Sequence, residues 1–288
     1  QLSTIENVEL IGIFDVNTEE CTNVGMEFSV ATFSQVDVMM KACDAVSIVT
    51  PTTDHFDTAI QALNLGCHVF IEKPITETIA QAQQLLAKAE AAHKIIQVGH
   101  IERFNPAFLH IKNQNLSPKF VEIHRLAPFN PRGTDVPVIL DLMIHDIDIL
   151  LSMVNSTIKD IHASGVKVVS KTVDIANARI LFENGCVANI TASRISQKPM
   201  RKMRIFQEAT YTTVDFLKKS VEIYHVEDDI PSGVNKDSVF PLKGHDKKYV
   251  IYENPEVVEH NALREELHHF TSVIQQGEQP DVDGHSAA

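Results

Sequence analysis

The run His68-Val-Phe-Ile-Glu-Lys-Pro74 does most to limit what this chain can fold into. Val69, Phe70 and Ile71 form a continuous apolar run of strand type, which suits a strand covered on both faces of a parallel sheet. Pro74 ends that strand and biases Lys73 toward an extended backbone. Glu72 and Lys73 therefore emerge at the carboxyl end of a strand, the edge of an open α/β sheet where ligands bind. A lysine there can hold a substrate oxygen, and a glutamate beside it can bind a sugar hydroxyl or tune the ammonium. Taken alone, the pair reads more simply as a surface ion pair after a strand.

The flanking segments supply the sheet. Residues 8–15 read as a strand ending in an acid, 29–32 as a short strand, 45–50 as a buried strand closed by Pro51, and 95–99 as a further strand. Helices are predicted over 17–27, capped by Asn17 or Thr18, and over 34–42, 54–65 and 76–93, the last opening at Thr76. Strands alternating with helices mean βαβ units and a parallel sheet.

After about residue 100 the pattern changes. Helices at 105–113, 138–153 and 260–276 accompany alternating strands at 119–125, 158–170, 176–182, 186–193, 203–207 and 211–216, with Asn184-Gly185 as a hairpin turn. The charged stretch 227–248 reads as an exposed loop. The expected architecture is α/β. Residues 1–100 form a Rossmann-type dinucleotide-binding domain, and 101–288 an α+β domain with a large, mostly antiparallel open sheet and helices on one face.

Composition narrows the partners. A net charge of −13 argues against non-specific nucleic-acid binding, which needs clustered lysine and arginine. No apolar run reaches the length of a membrane span. Cys21, Cys43, Cys67 and Cys186 are widely spaced and fit reduced thiols in the cytoplasm. The sequence reads as a piece of a longer chain. A G-x-G-x-x-G phosphate loop belongs about 20 residues before an acid such as Asp15, and it lies outside these 288 residues.

Four groups could carry chemistry. Asp15 can accept hydrogen bonds from an adenosine ribose and disfavour a 2′-phosphate, or simply start a turn. Thr50, Pro51 and His55 occupy another strand-to-helix junction, where hydroxyls and a helix N-terminus suit phosphate or ribose and where capping alone is the plainer account. Asp141, His145 and Asp148 share one face of an otherwise apolar helix, at i, i+4 and i+7. His145 is a candidate general base that Asp141 would orient, unless the pair is an ordinary buried hydrogen bond. A metal pair is the weakest reading, since no third ligand follows at metal-site spacing. His124, Arg125, Arg132, Arg194, Lys198, Arg201, Lys202 and Arg204 concentrate cations in an acidic chain, as an anionic substrate group would require, or serve strand solubility.

Glu72-Lys-Pro74 after a parallel strand, Val98-Gly-His-Ile-Glu-Arg-Phe-Asn-Pro106 after the next, and Asp141-x-x-x-His145 together resemble the Gfo/Idh/MocA family of NAD(P)-dependent sugar oxidoreductases. The resemblance implies that Lys73 hydrogen-bonds the reacting hydroxyl, His145 is the acid/base and Asp141 binds or orients substrate. It places Arg103 and Glu72 at the nicotinamide end, and it implies a cis Lys73–Pro74 peptide, as is common in relatives. The cofactor would be NAD rather than NADP, held by Asp15, Thr50, Pro51, His55, Glu72, Lys73 and Arg103. Residues 124–136 and Ser193-Arg-Ile-Ser196 resemble members of the UDP-N-acetylglucosamine 3-dehydrogenase type. That assigns His124, Arg125, Arg132, Asp141 and Arg194 to a small-molecule sugar substrate, of which a nucleotide sugar is the kind implied. Ile101 stands where many members carry Asn. A homodimer or homotetramer is expected. The alternatives are a member acting on free polyols such as inositol, a non-catalytic nucleotide-sugar-binding or regulatory protein on the same fold, and a metal-dependent lyase or hydrolase built on Asp141 and His145.

Overall fold

The structure is a computed structural model and describes residues 1–131, 136–230, 232–245 and 247–287. It divides into two compact units, Gln1–Ile101 with Asn261–Ala288, and Glu102–His260.

The first unit opens with α1 (Thr18–Phe28) and α2 (Val36–Lys41), followed by β1 (Ala45–Ile48), α3 (Thr52–Asn64), β2 (His68–Glu72), α4 (Ile79–Ala92) and β3 (Ile96–Gly99). The strands form a parallel sheet in the order β1-β2-β3. Asn17 caps α1 by accepting the Glu20 N–H at 3.2 Å. Thr78 caps α4 through a reciprocal box with Gln81, so the expected helix start at Thr76 moves two residues on. Val69, Phe70 and Ile71 are buried, as a central strand requires. Residues 8–15 do not form a regular strand: they make one bridge, Ile13 with Thr32, and no ladder with β1–β3 among the described residues.

The second unit contains α5 (Pro106–Lys112), β4 (Phe120–Leu126), a π-helical turn (Ile139–Met143) continuing into α6 (Ile144–Met153), and β5 (Ile158–Val166). Then follow β6 (Ile175–Phe182), β7 (Val187–Ser193), β8 (Met200–Gln207), β9 (Thr210–Asp215), β10 (Ser220–Glu227), β11 (Val239–Pro241) and β12 (Tyr249–Glu253). Among the described residues nine strands form one sheet, β11-β12-β10-β9-β8-β4-β7-β6-β5, antiparallel except where β4 lies parallel to β7. The expected loop over 227–248 therefore contains a short edge strand, and β10 and β12 extend the sheet beyond the predicted strands.

Alternation along the strands gives the sheet two unlike faces. Val121, Ile123, Ile190, Met203, Ile205 and Val221 pack with Phe108, Ile111, Ile149 and Leu150 of the helices in one core. The other face carries a file of five rings on neighbouring strands, Phe120, Phe206, Tyr211, Tyr224 and Tyr252. Successive centroids lie 5.8, 4.8, 5.4 and 5.1 Å apart.

The chain then returns to the first unit. In α7 (Ala262–Gln276), Leu267 and Phe270 join Ile5 and Phe70 in a second core, with the Phe70 and Phe270 rings edge-on at 5.8 Å. Gln97 of β3 donates to the Glu266 carbonyl at 3.0 Å, and Val98 donates to Val282 at 3.1 Å. A second domain running unbroken over 101–288 does not match this grouping, because the last 28 residues pack on the first sheet.

Candidate active site

In the first unit, the carboxyl edge of the parallel sheet gathers three turns: Thr50-Pro51 after β1, Lys73-Pro74 after β2, and His100 after β3. The Lys73–Pro74 peptide is cis. Glu72 is in register with Gly99, and its carboxyl lies over the bare glycine Cα, where an added Cβ would be 3.1 Å from the carboxyl carbon. Burial pushes the Glu72 carboxyl above its ordinary value. The Lys73 backbone N–H, at 3.3 Å, and the charges of Lys73 and His55 pull it part of the way back. Lys73 itself is half-buried. Asp15 is exposed, with one carboxylate oxygen accepting the Asn17 N–H at 2.7 Å. These features fit a dinucleotide: an exposed acid for a ribose, and a strand edge where a glycine keeps the backbone open.

His55 lies at this edge, as expected, but is turned toward backbone rather than open to a ligand. It is 1 % exposed, and its Nδ1 and Nε2 sit 2.9 Å from the Pro74 and Thr50 carbonyl oxygens respectively. Both ring nitrogens are committed to backbone, so this side chain holds the edge together and offers nothing to a cofactor.

In the second unit, Asp141 and His145 lie on one continuous helical run with a changed pitch. The Ile144 N–H reaches back five residues to the Ile139 carbonyl, which inserts one residue into the turn. Spacing by i+4 and i+7 therefore does not hold across it. Asp141 sits in the wide turn, and both Asp141 and His145 are half-buried. Arg194, after β7, brings one guanidinium nitrogen 3.5 Å from Asp141 and donates from the same nitrogen to the Val136 carbonyl at 2.8 Å. Its own backbone N–H binds the Asp174 carbonyl at 3.0 Å. At 4 % exposure, Arg194 orients Asp141 more directly than it could meet a substrate anion, and the sequence had not linked these two residues.

Asp148 does not share the site. It accepts from Arg103 Nε and Nη2 at 2.6 and 2.9 Å, so the cation predicted to flank nicotinamide is held in a two-pronged ion pair with α6. Arg125 is likewise structural. It is 2 % exposed, donates to both Asp146 oxygens at 2.8 Å and to Glu102 at 2.9 Å, and Arg201 and Asn105 complete the ring on Glu102 at 3.2 and 3.1 Å. Burial works against the Arg125 charge, but Asp146 and then Glu102 more than offset it and hold the guanidinium above its ordinary value.

His124 and Arg125 cannot share one ligand surface, because neighbours in a strand face opposite sides. Arg125 enters the core, and His124 lies on the ring-bearing face opposite Lys202. Lys202 and Arg204 pair with Asp215 and Glu122 at 3.3 and 2.9 Å, so the predicted cationic cluster is dispersed among acid partners. Arg132 lies outside the described residues. Glu102, Asn105 and Asp146 were not predicted. The one sequence signal for Glu102 and Asp146 was the placing of acids beside apolar residues that must be buried, and Asn105 had none. Among the described residues, no group of three or more metal-ligating side chains occurs.

Residues 2–100 match the model of the GFO/IDH/MocA oxidoreductase family with its NAD-binding Rossmann fold, and residues 129–210 match the GFO/IDH/MocA C-terminal domain. UDP-N-acetylglucosamine 3-dehydrogenase from Acidithiobacillus ferrooxidans is 42 % identical over 218 residues, 75 % of this chain and 70 % of that protein. A solved structure of UDP-N-acetylglucosamine 3-dehydrogenase from that organism superposes with a TM-score of 0.86 at 36 % identity, covering 96 % of this chain and 85 % of that one. The scyllo-inositol 2-dehydrogenase (NAD(+)) of Bacillus subtilis is 29 % identical over 170 residues, 53 % of this chain and 49 % of that protein. This chain therefore belongs to the Gfo/Idh/MocA oxidoreductase family, with a Rossmann-type parallel sheet followed by a large, mostly antiparallel one.

Proposed function

We propose that this dehydrogenase oxidises a secondary hydroxyl of a nucleotide-activated amino sugar, with NAD as the cofactor. The observation that carries the substrate class is the 42 % identity over 218 residues to a UDP-N-acetylglucosamine 3-dehydrogenase. When bound, NAD supplies the acceptor for the hydride leaving the carbinol carbon. Asp15 would bind the adenosine ribose and disfavour a 2′-phosphate. Glu72 and the Thr50-Pro51 turn would line the cofactor edge.

Lys73 donates a hydrogen bond to the reacting oxygen and stabilises negative charge that develops there. His145 takes the hydroxyl proton, and Asp141, itself steadied by Arg194 at 3.5 Å, holds the sugar for that transfer. The ring-bearing face of the nine-stranded sheet, where Phe206 is 37 % exposed and the other four rings are half-buried, suits a homodimer or homotetramer. The four free cysteines, with Cys43, Cys67 and Cys186 pushed up by burial and so kept as thiols, suit the cytoplasm.

The test is NADH formation from a panel of UDP-amino sugars, other nucleotide sugars and free polyols, with wild type and Lys73→Ala. UDP-N-acetylglucosamine should give NADH, and Lys73→Ala should lower turnover by about 10²- to 10⁴-fold while changing the NAD dissociation constant by no more than about threefold. Activity on free polyols alone would move the substrate to the inositol class. Unchanged turnover in Lys73→Ala would remove the assigned chemistry, and no NADH from any substrate would favour a nucleotide-sugar-binding protein.

A further inference from the structure

The deepest polar side chain at the carboxyl edge of the first sheet is His55, and the chemistry above gives it no task. It lies in the first turn of α3, 1 % exposed, with its two nitrogens 2.9 Å from two carbonyl oxygens. One carbonyl, Thr50, belongs to the turn leaving β1; the other, Pro74, belongs to the turn leaving β2. Those strands are neighbours, with Ile48 beside Ile71. The ring therefore ties together two turns that no strand pairing reaches, since the ladder stops at Ile48 and Ile71.

An apolar residue would fill this volume without the cost of burying a polar ring, so the hydrogen bonds are what an imidazole adds. A neutral ring donates to one carbonyl at a time, and both are satisfied together only when both nitrogens carry protons. Immediately before Pro74 stands Lys73, half-buried, and immediately after it Ile75 and Thr76 are buried. The Pro74 carbonyl thus marks where the turn passes from its ligand-facing side to its anchored side. We infer that His55 is a positioning residue: by bridging the Thr50 and Pro74 carbonyls it fixes the backbone from which Lys73 reaches the substrate oxygen. This rests on the reading of Lys73 given above.

The test compares His55→Leu and His55→Gln with wild type in the full chain. The readouts are kcat and KM on the substrate found in the panel, the NAD dissociation constant, thermal midpoint, and amide hydrogen exchange across 73–76, read at Lys73, Ile75 and Thr76. In His55→Leu, exchange at 73–76 should quicken and kcat should fall about 10- to 100-fold, the penalty of a misplaced catalytic group, with NAD affinity within about threefold of wild type. His55→Gln keeps an N–H donor and should recover about tenfold in kcat. Unchanged exchange at 73–76 in a folded variant would overturn the inference, as would a fall in kcat matched by an equal loss of NAD affinity. Should His55→Leu not fold, the same comparison is made with His55→Gln. Should wild type oxidise nothing in the panel, the role of Lys73 fails separately and exchange at 73–76 alone decides the bridge.

Discussion

At Glu72, burial and charge pull in opposite directions, and burial prevails: the carboxyl is held above its ordinary value despite Lys73 and His55 nearby. The sign of the consequence follows from proton linkage. The unfolded carboxyl releases its proton near pH 4.3, the folded one only at higher pH, so stability falls as pH rises through that interval and stays lowered above it. Glu72→Gln should therefore raise the thermal midpoint at neutral pH and leave it unchanged near pH 3 to 4, where the wild-type group is already neutral. Thermal melts at the two pH values check this, and an equal rise at both would mean that charge is not the cause. On the proposed role of Glu72 at the cofactor edge, the gain in stability should come with a loss of turnover.

At the scale of elements, α6 is pinned by two arginine–aspartate pairs. Arg125 and Arg103 hold Asp146 and Asp148, the residues that follow His145 around the helix. Asp146→Asn leaves the Arg125 guanidinium buried with half its compensation and should cost about 3–5 kcal/mol in urea denaturation. The double variant Arg125→Met/Asp146→Leu removes the charges together and should be more stable than Asp146→Asn alone. A double variant no better than the single one would show that the lost packing, not the stranded charge, sets the cost.

These pairs also mark what could be read in the sequence. The buried core of β2, the helices around it and the Asn17 cap follow local rules and were legible. The opposite facing of His124 and Arg125 was legible too, because strand alternation alone separates them, yet charge alone had grouped them. The alternation of Val221 and Ile223 in β10 was present but abutted a charged stretch read as loop. The wide turn at Ile139–Met143 and the return of α7 to Phe70 have no local signal: each is decided by contacts with residues far away in the chain.

For the molecule as a whole, the two faces of the large sheet set its behaviour in solution. One is sealed by α5 and α6, and the other presents Phe120, Phe206, Tyr211, Tyr224 and Tyr252 in an unbroken file, with Phe206 still 37 % exposed. A contiguous apolar band of this kind is what self-association covers. Light scattering should give a dimer or tetramer mass for wild type. Tyr211→Glu, a charge at the middle ring, should shift the population toward monomer while leaving the thermal midpoint of the second unit within a few degrees, or about 1 kcal/mol. An unchanged mass would move the contact to another surface.

The chain leaves the first unit at Ile101 and rejoins it at Asn261. Just inside those crossings, the His260 ring nitrogen lies 3.0 Å from the Phe104 carbonyl oxygen. The 159 residues from Glu102 to His260 therefore start and finish at one point, like a bag drawn shut by its string. A segment closed in this way is a cassette: it can be cut out and its ends joined by a short linker, or exchanged for a relative's, without restringing the sheet it interrupts. On the proposed function, exchanging this segment for a relative's should change substrate range while NAD binding is retained.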